Sequence, residues 1–581
     1  MTTSGPPPRN FHPFVPALGP LEHRLYRLSR QLTGTGLDVE VVEGLAREAE
    51  GDWRGNRDSE RKLRWALALS ILSDILVAGG TIHCVDSSLH VAWPDWSSEE
   101  GARGLRRALE RLRDEMRYGH VTPEVIDVLP ASMTRDAVTQ LISEGAFELR
   151  EAEDSHPSGV LYGDVFAAAR RYWTMPHRDR EGRNRRYVLT VTHPSQRWPL
   201  PAGILEVGDP SMLARDRDAA LGLTAPTFNE WLATPAKARD RLTGLEARLL
   251  GLHGALKPIP GVRISRSSYE NQFDSIPSLE HDALGRSKSE EDHTTKKRKA
   301  YLARLLRSLR AVAAWRAGSE PQSGDTSAVV RAVRDLTVPR VTLELTLCGA
   351  LPPFSRALVG KLVVAFAGDP RIRGICSSEP GQIMASVFEV AKLQEHLPTD
   401  GAILLTTKGL FPHHSAQYTR AELPREHSDL RVQMRKIGMT TGITASLMSK
   451  RTYRLARAFL ALPFQRRTVA GIFGSGGSKR QRRIEAAVIS LGLPEAIIHP
   501  RLQRPVYAAE LALNLRDVCI LNERPRFSVS TSGARSYARE AQELWRSHWL
   551  PTARRRLTEG DRDVITGVRQ FIGESGLNAT R

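Results

Sequence analysis

Cysteine is scarce in this chain. Cys84, Cys348, Cys376 and Cys519 lie far apart with no CxxC pair. That spacing argues against a zinc site or a disulfide framework, and it predicts buried free thiols in a reducing compartment. Long hydrophobic runs are missing too, for none reaches the ~20 residues of a membrane helix. Trp65 to Ala78 comes nearest and carries Ser70, Ser73 and Asp74, so a buried helix is expected there. Met1 to Pro20 holds several prolines and no apolar signal core, which points to a cytoplasmic protein with no membrane partner. G-x-S-x-G, H-E-x-x-H and deaminase signatures are absent, so none of those hydrolytic chemistries is signalled.

What the chain does have is positive charge. Lys and Arg total 83 against 65 acids, a formal net charge of +18 and a pI near 10.0. Such an excess attracts polyanions, and counterion release from nucleic acid adds binding without sequence specificity. The plainer alternative is a generally arginine-rich surface with no single partner. With 581 residues, 41% of them hydrophobic, and a mean hydropathy of −0.33, the composition is that of a globular protein of two to four domains.

Three regions are expected. Residues 1–155 read as helical with a β-hairpin, formed by Thr81 to Val85 and Leu89 to Trp93 around Asp86-Ser-Ser88. Two helices and a hairpin resemble a winged helix, and a structural cap is the preferred alternative. Residues 156–460 read as an α/β body with a helical, partly mobile insert at about 224–335, in which Ser265 to Thr295 is poor in apolar residues. The basic loop Pro176 to Arg186, with Arg178, Arg183 and Arg185, is a candidate nucleic-acid contact. So is the basic helix from Lys296 and Arg298 to Arg310, whose alternative is a solvated charged face. Residues 461–581 read as basic and largely helical, with Pro500 to Leu521 taken as helix. In that region Gly474, Gly476, Gly477 and Ser478 open a helix bearing Lys479, Arg480, Arg482 and Arg483. Backbone amides at such a turn can hold a phosphate, although this is not a Walker loop.

The middle of the chain carries the clearest order. Val341 to Cys348 alternates as a strand and ends at Pro352-Pro353, after which Phe354 to Ala367 fits a buried helix. Ala402 to Thr407 is a second strand, leading to Gly409 through Arg420. A strand, a helix and another strand form one unit with parallel strands, and ligands gather at the carboxyl ends of such strands.

The runs PPFSRALVGKLVVAFAGDP, TTKGLFPHHSAQYTR, RKIGMTTG and IFGSGGSKRQRRIEAAVISLGL resemble the DruA family of the Druantia anti-phage defence systems. That family shares a Pro-rich turn into a Gly-Lys-Leu helix, a strand followed by Ser-x-Gln/Ile-Tyr, and a Gly-rich loop before a basic helix. Weaker similarity extends from about Leu69 to Leu521. The resemblance implies a defence component working with partner proteins such as a large helicase, on foreign DNA or another nucleic acid. It implies no reaction.

The order of elements also resembles the GNAT acyltransferase fold, a mixed sheet in which the helix after the central strand receives the coenzyme A pyrophosphate. By position, Phe354 to Gly360 would face that group, with Arg356, Gly360 and Lys361 as candidate cofactor residues. Tyr418 would stand where a tyrosine protonates the departing thiolate. The stretch Arg356 to Lys361 departs from the fold's Gly-rich pattern, with Leu358 and Val359 in place of small residues. A third reading places Glu206, Asp209 and His413 or His414 around Mg²⁺ in a nuclease, and Asp209, Asp216 and Asp218 are read either as cation ligands or, preferably, as an ion-paired turn. The reading adopted from sequence is nucleic-acid binding without a required cofactor, with Ser415, Gln417 and Tyr418 as further strand contacts.

Overall fold

The structure, a computed structural model, describes residues 39–55, 60–85, 88–115, 121–172, 184–210, 214–233, 235–262, 269–284, 290–378, 386–394, 396, 400–409, 412, 415–419, 432–440, 447–462, 479–498, 502–528, 533–559 and 563–577. The first stretch gives helices α1 (Val39–Gly55) and α2 (Glu60–Val77), strands β1 (Thr81–Val85) and β2 (Ser88–Ala92), and α3 (Glu99–Glu115). Next come β3 (Met133–Thr134), α4 (Arg135–Glu144), β4 (Ala146–Glu151), α5 (Tyr162–Ala169), β5 (Asn184–Thr192) and β6 (Leu200–Gly208). The stretch between β6 and the next strand supplies several helices, among them α6 (Pro235–Gly254), α7 (Glu290–Arg316) and α8 (Ser323–Val341). After it follow β7 (Thr342–Ala350), α9 (Val359–Phe366), β8 (Leu404–Lys408), α10 (Ala416–Thr419) and β9 (Arg435–Met439). The last part holds α11 (Lys450–Leu460), α12 (Lys479–Ser490), β10 (Pro505–Glu510), α13 (Leu515–Leu521), α14 (Ala534–Thr558) and β11 (Val564–Ile565). No helix among the described residues is long and apolar enough to cross a membrane.

Contacts divide the chain into two compact units. One contains residues 1–117, 174–177 and 441–503, and the other contains 118–173, 178–440 and 504–581.

In the first unit α2 is the buried helix that the apolar run predicts, with Leu63, Leu67, Ile71 and Ile75 all but inaccessible. Its neighbours α1 and α11 close over it through Val42, Ala46, Leu455 and Phe459. The expected hairpin is present as antiparallel β1 and β2. One carboxylate fixes the start of α11. Asp74 Oδ2 accepts from the Ser449 amide (2.8 Å), the Ser449 hydroxyl (3.0 Å) and the Thr452 hydroxyl (2.5 Å). The Arg111 guanidinium lies 3.5 Å from its other oxygen. A charge this deeply buried, at 2% exposure, is tolerable because every side of it is answered by a donor.

The second unit is a mixed α+β fold built on a seven-stranded sheet of order β4-β5-β6-β7-β8-β10-β9. Every neighbouring pair is antiparallel except β7 and β8, which run parallel. A parallel pair needs a crossover, and the chain from Leu351 to Ile403, which contains α9, provides it. One face of the sheet packs on α4, α9 and α14 through Leu343, Leu345, Leu362 and Trp545. A second core, with Leu249, Leu306, Leu336 and Leu404, joins the other face to helices of the β6–β7 stretch.

Three local expectations change. Pro500 to Leu521 contains strand β10 ahead of α13. Val506 to Ala509 are buried throughout, so no alternation marked the strand. Ser265 to Thr295 contains helix from Ile276 and again from Glu290. Ile276 and Leu279 enter the core there, and Lys299–Asp282 (2.6 Å) and Arg307–Glu280 (2.9 Å) tie the segment to α7. The helix expected from Phe354 starts only at Val359. The preceding turn buries Phe354 and Ala357 and puts Leu358 at a φ of 57°, with its carbonyl taking the Trp545 indole N–H at 3.2 Å.

Asp74→Ala should remove the shared acceptor beneath α11 and lower the stability of the first unit by about 3 kcal/mol. A urea titration followed by the native tryptophans measures it, and Asp74→Asn, which keeps one acceptor oxygen, should cost less.

Candidate functional site

Two places hold the chemistry-bearing side chains, one in each unit. In the sheet unit, β7 and β8 pair only from Thr342–Leu345 to Leu404–Thr407. Strand β7 also carries a bulge, because Glu206 faces Leu347 while Val207 faces Leu345. The extra residue, Thr346, donates to Glu206 Oε2 at 2.9 Å. Bulges re-aim side chains, and here Cys348 is turned toward the same core as Leu345.

Beyond the paired stretch, α10 reaches back into the gap. Gln417 Nε2 donates to the Cys348 carbonyl at 3.0 Å and lies 3.4 Å from its sulfur. The other end of that amide rests on α9, where a Cβ at Gly360 would stand 3.1 Å from Gln417 Oε1. Tyr418 is buried beside it, its ring centroid 5.0 Å from that of Tyr507. The Tyr507 hydroxyl accepts from the Ser415 amide at 3.0 Å. Burial, with the nearby Cys348, pushes the Tyr418 phenol far above its ordinary range. Burial likewise pushes the Cys348 thiol up to about 12, against hydrogen bonds from Gln417 and Tyr418. Both groups are therefore protonated at neutral pH. On the opposite face, Lys408 Nζ lies 3.1 Å from Glu344.

The candidate cofactor residues separate. Arg356 is exposed on the turn, Gly360 lies under Gln417, and Lys361 is buried with its amine 5.5 Å from the centre of the Trp549 ring. The nuclease candidates also part company. Glu206 accepts from Asn184 (3.1 Å) and Arg186 (3.3 Å), and the Arg170 guanidinium lies 3.2 Å away. Burial alone would raise this carboxyl, yet Arg170, Asn184, Thr346 and Arg186 hold it below its usual range. Asp209 is half-buried just after β6, and His413 and His414 lie outside the described residues. Asp218 takes two bonds from Arg217 (3.0 and 2.6 Å), and the Asp216 carboxylate packs on Gly438. No group of three His, Cys, Asp or Glu with metal-holding geometry occurs among the described residues.

The basic helix around Lys296 is not the open cationic face expected of it. Lys296 binds Asp292 (2.8 Å), Arg298 donates to the Ser386 and Pro258 carbonyls (3.2 and 3.1 Å), and Arg304 binds Asp335 (2.6 Å). Asp292 of the same helix, two backbone carbonyls and Asp335 of α8 occupy these cations. Arg185 sits half-buried on β5, and Arg178 and Arg183 fall outside the described residues.

In the first unit, Gly474, Gly476, Gly477 and Ser478 are outside the described residues, as are the side chains of Lys479 and Arg480. Arg482 is half-buried, and burial lowers its pKa. Arg483 donates to the Tyr453 hydroxyl at 2.6 Å. The exposed charge lies one helix earlier. On α11, Lys450, Arg454 and Arg457 face solvent, while Thr452, Leu455, Ala456, Phe459 and Leu460 are buried. Spacings of four and three put the cations on one stripe. That periodicity stands in the sequence KRTYRLARAFL, and none of the sequence candidates lies on it.

Set against protein-family models, curated proteins and solved structures, the chain matches none of them.

A thiol held near 12 leaves on the order of a thousandfold less thiolate at pH 8 than an ordinary cysteine. Cys348 should therefore resist iodoacetamide in the folded protein and label readily in urea, as read by peptide mass spectrometry. Equal labelling rates in both states would show that the thiol is not held in this way.

Proposed function

We propose that this chain binds nucleic acid through the basic stripe of α11, as a DNA-engaging component of the kind of cytoplasmic anti-phage defence complex that its resemblance to the DruA family implies. The stripe of Lys450, Arg454 and Arg457 carries the reading, since it is a set of exposed cations on a helix anchored by its opposite face. It spans about 10 Å of helix axis, or about three nucleotide steps of backbone. The net charge of +18 favours the same partner, and a large helicase is the protein partner that the resemblance supplies.

Acyl transfer is the second reading, favoured by the order of the sheet. A single parallel pair at its centre, entered through a helix at the end of β7, is the arrangement a GNAT-like body requires. The side chains do not fit coenzyme A as they stand. Gln417 lies across Gly360 and holds the Cys348 carbonyl, and Leu358 and Val359 occupy the turn where small residues would expose amides. The sheet thus supports an acyltransferase-like body used as a scaffold. Metal-dependent cleavage has less support, because two guanidinium groups already hold Glu206.

The pair Lys450→Glu and Arg457→Glu should weaken binding to a labelled DNA duplex more than tenfold and flatten its logarithmic salt slope by about 2. Fluorescence anisotropy across a salt series measures both, and an unchanged slope would reject the stripe. DNA, not coenzyme A or acetyl-coenzyme A, should raise the thermal midpoint. Stabilisation by coenzyme A alone would reverse the order of the two readings.

A further inference from the structure

Beside the α11 stripe, one carboxylate gathers three arginines. Glu50, near the end of α1, is 8% exposed. Arg54 Nη2 donates to its Oε1 at 2.6 Å, and Arg454 Nη2 donates to the same oxygen. Arg451 Nε lies 2.6 Å from Oε2. Another acid of α1, Glu43, is already engaged by Arg47 (3.6 Å) and Arg111 (3.4 Å). Three guanidinium groups bring roughly fifteen N–H donors, and one carboxylate offers about four acceptor sites. The cluster therefore holds a surplus of two positive charges and most of its donors. Arg451 shows this most plainly. Its side chain is 13% exposed, its Nε is taken up by Glu50, and its Nη2 is buried with no hydrogen-bond partner among the described residues. A buried donor without an acceptor is costly unless something supplies one.

We propose that Arg54, Arg451 and Arg454 form a seat for one backbone phosphate of a nucleic acid strand, with Glu50 as the positioning residue that holds the three guanidinium groups together. A phosphodiester carries one negative charge and planar-fork-compatible oxygens, which suit arginine better than lysine. Arg54 and Arg454 are each more than half exposed at the side chain, so the seat opens to solvent. Arg454 belongs both to the seat and to the stripe, which makes the two surfaces continuous. This inference rests on the nucleic-acid reading above and specifies where one phosphate is held.

Substituting Glu50 by Gln gives opposite signs under the two accounts of that residue. If Glu50 only neutralises arginines, Glu50→Gln adds a net positive charge and should tighten binding. If it positions them, the affinity should fall about five- to tenfold despite the added charge. Anisotropy with a labelled 20-nucleotide strand and its duplex reads the sign, after circular dichroism and urea unfolding establish that the variant is folded. Arg54→Gln, at an exposed position, serves as the second variant. It should reduce affinity several-fold and the logarithmic salt slope by about 0.9, whether or not Glu50→Gln folds. Tighter binding by Glu50→Gln, or an unchanged slope for Arg54→Gln, would overturn the phosphate seat while leaving the nucleic-acid reading standing. A wild-type protein that binds neither strand nor duplex would instead defeat that wider reading, and this seat with it.

Discussion

The parallel pairing of β7 with β8 governs the sheet unit. Five of the six strand pairings are antiparallel, and the single parallel pairing obliges the chain to leave the sheet, pass through α9 and return. Only four residues on each strand pair before the ladder ends. The bulge at Thr346 falls just there and turns the next residues of β7 about its axis. Whatever lies in the resulting gap must satisfy the backbone of β7, and in this molecule the amide of Gln417 does so. The same bulge ties two neighbouring strands to a buried acid and its arginines, so the gap has a rigid floor.

Positive charge is distributed in two ways, which the net charge alone does not distinguish. Along α7 Lys299, Arg307 and Arg304 meet Asp282, Glu280 and Asp335 and fasten neighbouring helices together, while Lys296 pairs with Asp292 of its own helix. Along α11 Lys450, Arg454 and Arg457 face outward. An arginine in a run of basic residues is thus no guide to function until its acidic neighbours are located, and those neighbours come from other helices.

What could be read beforehand follows from the same distinction between local and distant determinants. The buried helix α2, the hairpin β1–β2 and the two strands of the parallel pair are encoded by runs whose periodicity is their own. Strand β10 was illegible because both of its faces are covered, which erases alternation. The long wait before α9 begins depends on Trp545 of α14, nearly two hundred residues away, and no local pattern announces it. The cofactor candidates Arg356, Gly360 and Lys361 are close in sequence, but successive positions around a turn and a helix point apart. The Glu50 cluster joins α1 to α11 across most of the chain, so only the folded arrangement could expose it.

The anchoring of α11 on Asp74 has a bearing on how the chain is made. Asp74 and Ser449 are 375 residues apart, so at about 5–20 residues per second the ribosome needs roughly 20–75 s to deliver the second after the first. During that interval α2, a helix apolar on nearly every side, has emerged without the partner that finally covers it. The first unit consequently cannot close until α11 has been made, long after α1 and α2.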